Sequence, residues 1–171
     1  MGDADVLFNS HRDGVFRYLC RVVGHHQAGE LTQEVFLRVA RGPLPDADAA
    51  RRRAWVFSIA RNLALNHVRD KRRRGTRVDL DDAPSAATQE LAAALREALQ
   101  RLPDADRQVF LLRETAGLSY DEIASTCGLS ADAVRSRLHR ARQQLRGMLS
   151  PSLTRTGVTV GVKLYDRFDP E

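Results

Sequence analysis

The stretch Leu118–Arg146, LSYDEIASTCGLSADAVRSRLHRARQQLR, decides the fold. Ser119 followed three residues later by Glu122 is a capping box, in which each side chain satisfies an orphan backbone N–H at the start of a helix. Ile123 and Ala124 give that helix its buried face. Gly128 then breaks it where a left-handed backbone costs least, and Ser130 caps a second helix that carries Asp132 in its first turn. This is helix-turn-helix punctuation. On the second helix Val134, Leu138, Ala141 and Leu145 recur at spacings of four, three and four, one apolar stripe facing the domain. Arg135, Ser136, His139, Arg140 and Gln143 project from the opposite face, with Arg137, Arg142 and Arg146 on the flanks. A major groove admits one helix, guanine offers two acceptors that suit an arginine fork, and the flanking phosphates reward further positive charge. The charges alone fit a solvated helix equally well; the capping box, the glycine turn and the one-sided arginines together favour a helix that reads duplex DNA.

Outward from this pair the chain reads as helical. Its 171 residues are 43% hydrophobic, enough for one large or two small domains, and strand-like runs are few before residue 157, so the expected class is all-α. The net charge of +5, from 27 Lys and Arg against 22 Asp and Glu, is a modest pointer to a polyanionic partner. Its distribution says more: basic residues crowd into 51–53, 69–77 and 135–146, while 78–90 holds four acids and no base. No apolar run approaches the length of a membrane span, and MGDADVLFNS lacks the basic start and apolar core of a signal peptide, so a cytoplasmic protein is expected. Cys20 and Cys127 sit in no CxxC or Cys/His array and read as buried small hydrophobes; no metal and no cofactor is expected.

In chain order, Phe8, Val15, Leu19 and Val22 follow helical spacing up to Gly24. A second helix, ELTQEVFLRVAR, buries Leu31, Val35 and Val39 and leaves Gln33, Glu34, Leu37, Arg38 and Arg41 largely off that stripe. Pro43 and Pro45 force a loop, after which Asp46 or Asp48 caps a third helix. In that helix Val56, Ile59, Ala60 and Leu63 suit burial, whereas Trp55, Asn62 and Asn66 fall near another stripe that runs into Arg69, Lys71, Arg72 and Arg73. Two readings fit this stripe. Aromatic faces stack on unpaired bases, amides read base edges and cations hold the backbone, which makes a single-strand surface; equally, a lone Trp can be core and a mid-helix Asn a cap or kink. Thr76–Thr88 is polar, acidic and proline-containing, the composition of a linker. Helix returns with Leu91, Leu95, Leu99 and Leu102, Pro103 stops it, and Asp104 or Asp106 starts another before the helix-turn-helix. From Val158 to Leu164 apolar residues alternate with Thr159, Gly161 and Lys163, a strand period in a tail that is read as flexible or partner-dependent.

Three motifs, ELTQEVFLRVAR, AWVFSIARNLALNHVRD and LPDADRQVFLLRETAGLSYDEIASTCGLSADAVRSRLHRARQQL, stand in the order found in the extracytoplasmic-function (group IV) sigma factors of bacterial RNA polymerase, and the chain resembles that family over about Phe8–Leu149. The resemblance implies two small helical domains joined by a flexible acidic linker: a region 2 domain at 1–74, a linker at 75–88, a region 4 domain at 89–149 and a tail at 150–171 of unknown role. It implies no catalysis and no small-molecule substrate, but a factor that binds core RNA polymerase, on the largest-subunit clamp coiled coil and the β flap, and directs promoter-specific initiation. By position, Gln33, Glu34, Leu37, Arg38 and Arg41 match the polymerase-docking face; Trp55, Asn62, Asn66, Arg69, Lys71, Arg72 and Arg73 match the surface that melts and reads the minus-10 element; and Arg135, Ser136, Arg137, His139, Arg140 and Arg142 match the minus-35 contacts. Family members are often held by an anti-sigma factor, an expected partner here. His25-His26 and the loop Pro43-Leu44-Pro45 depart from the family pattern, and the tail has no counterpart in it. Two rival readings are a free-standing helix-turn-helix regulator and a nuclease built on His25, His26 and Glu30; the second lacks the fuller ligand set a metal hydrolase needs.

Overall fold

The computed structural model describes the backbone of residues 2–75 and 86–155, and side chains within 2–75 and 92–150. Among the described residues there are seven helices in order: α1 Asp3–Val23, α2 His25–Arg41, α3 Ala49–Arg73, α4 Ala86–Arg101, α5 Asp104–Glu114, α6 Tyr120–Cys127 and α7 Ala131–Arg155. The class is all-α, with no strand among the described residues. The alternating segment Val158–Leu164 and the acidic linker residues 76–85 lie outside the described residues. The expected linker is shorter at its far end, because α4 already begins at Ala86.

Helices α1–α3 form the first half. Gly24, at φ 87°, separates α1 from α2 with no intervening loop, and α2 folds back along α1. Asp48 is the cap of α3, accepting from the Arg51 N–H at 2.8 Å. Leu7, Val15, Tyr18, Leu19 and Val23 of α1 meet Val35, Phe36 and Val39 of α2 and Val56, Phe57, Ala60 and Leu63 of α3. Phe8, placed on the buried stripe from spacing, is 40% exposed, and Leu7 takes the core position beside it. The physical reason is that α1 packs on both α2 and α3, so its buried arc is centred between the two and Phe8 falls at its edge, with its ring edge-on to Phe36.

Helices α4–α7 form the second half. The apolar stripe of α7 is buried throughout: Val134 and Leu138 join the main core, while Ala141, Leu145 and Leu149 pack with Ala98 and Leu102 of α4. Leu95, expected inward, is exposed; α4 packs mainly on α7, with Phe110 of α5 at the edge of their contact, so Leu95 falls outside the covered arc. The two halves are not separate in this structure. α3 lies against α6, and one apolar cluster runs from Leu7 and Val15 through Phe57 to Leu112, Leu118, Ile123 and Leu138.

Candidate nucleic-acid interface

The turn between α6 and α7 is built as its residues demand. Ser119 Oγ accepts from the Glu122 N–H at 3.2 Å while a Glu122 carboxylate oxygen accepts from the Ser119 N–H at 2.7 Å. Gly128 adopts φ 66°, ψ 39°, which lets the Leu129 N–H close back on the Ala124 carbonyl at 2.9 Å. Ser130 Oγ then accepts from the Ala133 N–H at 3.2 Å and starts α7.

On α7 Arg135, Ser136, His139 and Arg140 are exposed, as their spacing predicts, and Arg137 and Arg142 are partly covered. Their partners differ. Arg135 reaches Asp132 at 2.6 Å and lies over the Tyr120 ring at 6.0 Å. Arg142 donates to Glu114 of α5 at 3.2 Å, and both side chains are largely covered, so it ties α7 to α5. Arg137 and Arg140 both donate to Asp106. Asp106, one of two candidate starters of α5, caps nothing: the helix begins at Asp104 after Pro103, and the Asp106 carboxylate is turned inward under α7. The Arg140 guanidinium beside it holds its carboxyl below the usual carboxylate range, against the opposing effect of burial.

α3 carries the second surface. At about 100° per residue Trp55, Asn62, Asn66, Arg69 and Arg73 fall within an arc of about 60°. Asn62, Asn66, Arg69 and Arg73 are exposed; Trp55 is half-buried, with its ring beside Gly42. Arg69 donates to the Asn66 side-chain oxygen at 3.4 Å, and Arg73 is paired with Asp70. Lys71 and Arg72 leave this stripe. Arg72 turns toward the second half and forks onto Asp104 of α5 at 3.1 and 3.3 Å, where each group stabilises the other's charged form.

The docking candidates lie together on α2. Gln33, Leu37, Arg38 and Arg41 are exposed, Leu37 to 46%, and Arg38 pairs with Glu34 one turn back at 2.7 Å. Exposed Phe8 and Val6 of α1 add apolar area next to this helix, through the Phe8–Phe36 contact.

Several contacts between the halves carry no local sequence pattern. Arg53 donates to the Ala116 carbonyl at 2.6 Å and lies 3.5 Å from Glu122, whose carboxylate also closes the capping box. Thr126 donates to the Ala54 carbonyl at 3.2 Å, and Arg61 to the Gln108 side-chain oxygen at 2.9 Å. These joins cover the flank of α3 that faces α5 and α6, and leave the Trp55–Asn62 stripe open.

The remaining candidates give no reactive cluster. His25 packs edge-on against Phe16, Glu30 accepts from Gln27, and among the described residues no group of three or more His, Cys, Asp or Glu is placed to hold a metal ion. Cys20 and Cys127 are both partly covered, and burial pushes the Cys127 thiol up. No described helix is long and apolar enough to cross a membrane.

Compared with known proteins, the chain matches the models of sigma-70 region 2 over residues 7–74 and sigma-70 region 4 over residues 92–145. It is 34% identical over 150 residues to the ECF RNA polymerase sigma factor SigL of Mycobacterium tuberculosis, covering 82% of this chain and 85% of that one. The chain belongs to the ECF sigma factors. SigE of Mycolicibacterium smegmatis is 36% identical over 164 residues. This sigma factor covers 89% of its own length in that match but only 63% of SigE, and 52% of SigI of M. tuberculosis. Two solved structures share the fold: the sigma factor RpoE in complex with the anti-sigma factor NepR from Bartonella quintana, at TM-score 0.69 and 21% identity over 87% of this chain and 98% of that one, and CnrH in complex with the cytosolic domain of CnrY, at TM-score 0.66 and 24% identity over 86% and 88%. The first match ends just past α3 and the second begins within α4.

Proposed function

We propose that this sigma factor binds core RNA polymerase through the exposed face of α2 and directs promoter-specific initiation, α7 reading duplex minus-35 DNA and the α3 stripe capturing unpaired minus-10 bases. The observation that carries the reading is the pairing, in one chain, of a groove-sized helix with an outward arginine face and a second helix that presents Trp55, Asn62, Asn66 and Arg69 in a row. Bond chemistry belongs to the polymerase. The chain supplies position and binding: groove and phosphate contacts hold the duplex, and stacking and amide contacts offset the few kcal/mol needed to take a base from the stack. The cellular site is the cytoplasm, where such a polymerase works. RpoE and CnrH were each solved with a protein bound, and an anti-sigma partner is proposed here on that likeness.

Simultaneous readout requires the halves to part. The two elements lie roughly 25 base pairs apart by definition, and at ~3.4 Å per pair that is roughly 85 Å of duplex. A packed chain of this length has a radius of gyration of only about 15 Å. The α3–α6 contact must therefore open on the way to a promoter complex.

The deciding experiment is transcription of genomic DNA by bacterial core polymerase with and without the chain, mapping RNA 5′ ends. New starts that share two upstream boxes at fixed spacing are expected. Absence of core binding, together with tight duplex binding by the chain alone, would favour a free-standing regulator instead.

A further inference from the structure

Asp106 is 2% exposed, yet it lies in the first turn of a helix whose neighbouring Asp104 and Ala105 are exposed. Both of its oxygens are engaged by α7: Oδ2 accepts from Arg140 Nε at 3.1 Å, and Oδ1 accepts from Arg140 Nη2 at 3.0 Å and from Arg137 Nη1 at 3.2 Å. If this position served packing alone, an apolar side chain would fill it without the desolvation of a carboxylate, and such replacements of buried ion pairs are often neutral or stabilising. Holding α5 to α7 does not by itself call for a carboxylate here.

The geometry of Arg140 gives the carboxylate a use. A guanidinium has five N–H groups in one plane. The side-on fork to Asp106 consumes the Nε hydrogen and one Nη2 hydrogen, leaving the second Nη2 hydrogen and both Nη1 hydrogens on the far edge. The Arg140 side chain is 52% exposed, so that far edge is open to solvent on the face of α7 that also bears Ser136 and His139. Two parallel donors at that edge match the O6/N7 acceptor pair of guanine. Arg137, only 29% exposed, supplies the second cation and leaves the cluster with net positive charge toward the duplex.

We propose that Asp106 is a positioning residue for base readout, clamping Arg140 from behind so that its outer edge forms a ready-made fork for one guanine of the minus-35 element. The proposal rests on the reading of α7 as the minus-35 helix. Two consequences follow for Asp106→Asn. The fork loses one charge-assisted acceptor, so the preference for guanine at a single position drops. One negative charge is also removed beside the DNA, so affinity for unrelated duplex does not fall.

The test uses the chain reconstituted with core polymerase on a promoter library randomised through the minus-35 segment, scored by sequencing transcripts. Arg140→Ala, Asp106→Asn and the double variant are run together, with thermal melting of each chain. The expected result is that Arg140→Ala flattens the preference at one position, that Asp106→Asn lowers it there about tenfold with the other positions unchanged, and that the double variant matches Arg140→Ala. A profile for Asp106→Asn like that of the parent, or a loss spread evenly over all positions with a lowered melting point, overturns the proposal and leaves Asp106 a structural tie. A parental profile for Arg140→Ala overturns the reading of α7 on which the proposal stands. Salt titration on unrelated duplex gives an independent measure: weaker binding by Asp106→Asn would contradict the clamp, and equal or stronger binding supports it.

Discussion

Replacing Arg53 with Ala is the direct way to part the two halves without damaging either. The side chain is 29% exposed and makes a charge-assisted bond of 2.6 Å to the Ala116 carbonyl, with Glu122 at 3.5 Å. A hydrogen bond to a charged group contributes about 1.5–3 kcal/mol. Glu122 is not orphaned, because it keeps the Ser119 N–H at 2.7 Å, so the cost falls on the contact between the halves and not on the fold of α6. Thr126 and Arg61 retain their bonds across the join. A loss of about 2 kcal/mol shifts the packed-to-open ratio roughly 30-fold, since 1.4 kcal/mol is tenfold. If the open form is also the one that core polymerase binds, apparent affinity for core polymerase tightens in proportion to its population, by up to roughly 30-fold. Small-angle scattering is expected to show a more extended particle, and titration into core polymerase a lower Kd. A scattering curve and a Kd both equal to the parent's would refute the reasoning, for then either Arg53 does not hold the join or the join does not limit binding.

Three further outcomes are expected. Asn62→Ala removes an exposed amide on the α3 stripe and should leave core binding intact while weakening open-complex formation, which permanganate footprinting of the bubble reads directly. Leu37→Asp places a charge on a 46%-exposed position of α2, so melting should change by less than about 0.5 kcal/mol, as for ordinary surface substitutions, while core polymerase affinity falls. Acid should weaken the α5–α7 clamp: Asp106 is depressed by Arg140, so its stabilisation is whole above the unfolded carboxylate range near pH ~4 and is lost as pH falls through the lower folded value. Urea unfolding of the parent and of Asp106→Asn should accordingly differ at pH 6, and the difference should begin to shrink below about pH 4 and vanish only below the depressed folded value.

The local rules were legible. Ser119 with Glu122, Gly128, Ser130, Asp48 and the four-three-four stripe of α7 all act within a few residues of themselves, through caps and a helical period, and each sits in the structure as its residue type requires. The Trp55–Asn62–Asn66 stripe was legible for the same reason, since seven and four residues return a helix to one face. Lys71 and Arg72 were grouped with it by composition, and helical geometry separates them.

What escaped was decided by partners far along the chain. Leu7 and Phe8 have similar claims on a core, and the choice between them depends on where α2 and α3 lie against α1. Asp106 looks like any acid at a helix start until Arg137 and Arg140, 31 and 34 residues later, fold over it. Arg53 meets Ala116 and Glu122 across separations of 63 and 69 residues. The sequence by itself determined the helices, the punctuation between them and which faces carry charge, because those follow from backbone hydrogen bonding and short-range periodicity. Only the tertiary structure decided which of those charges are spent on one another and which remain for a nucleic acid, because that is a matter of which side chains are brought within about 3 Å after the helices pack.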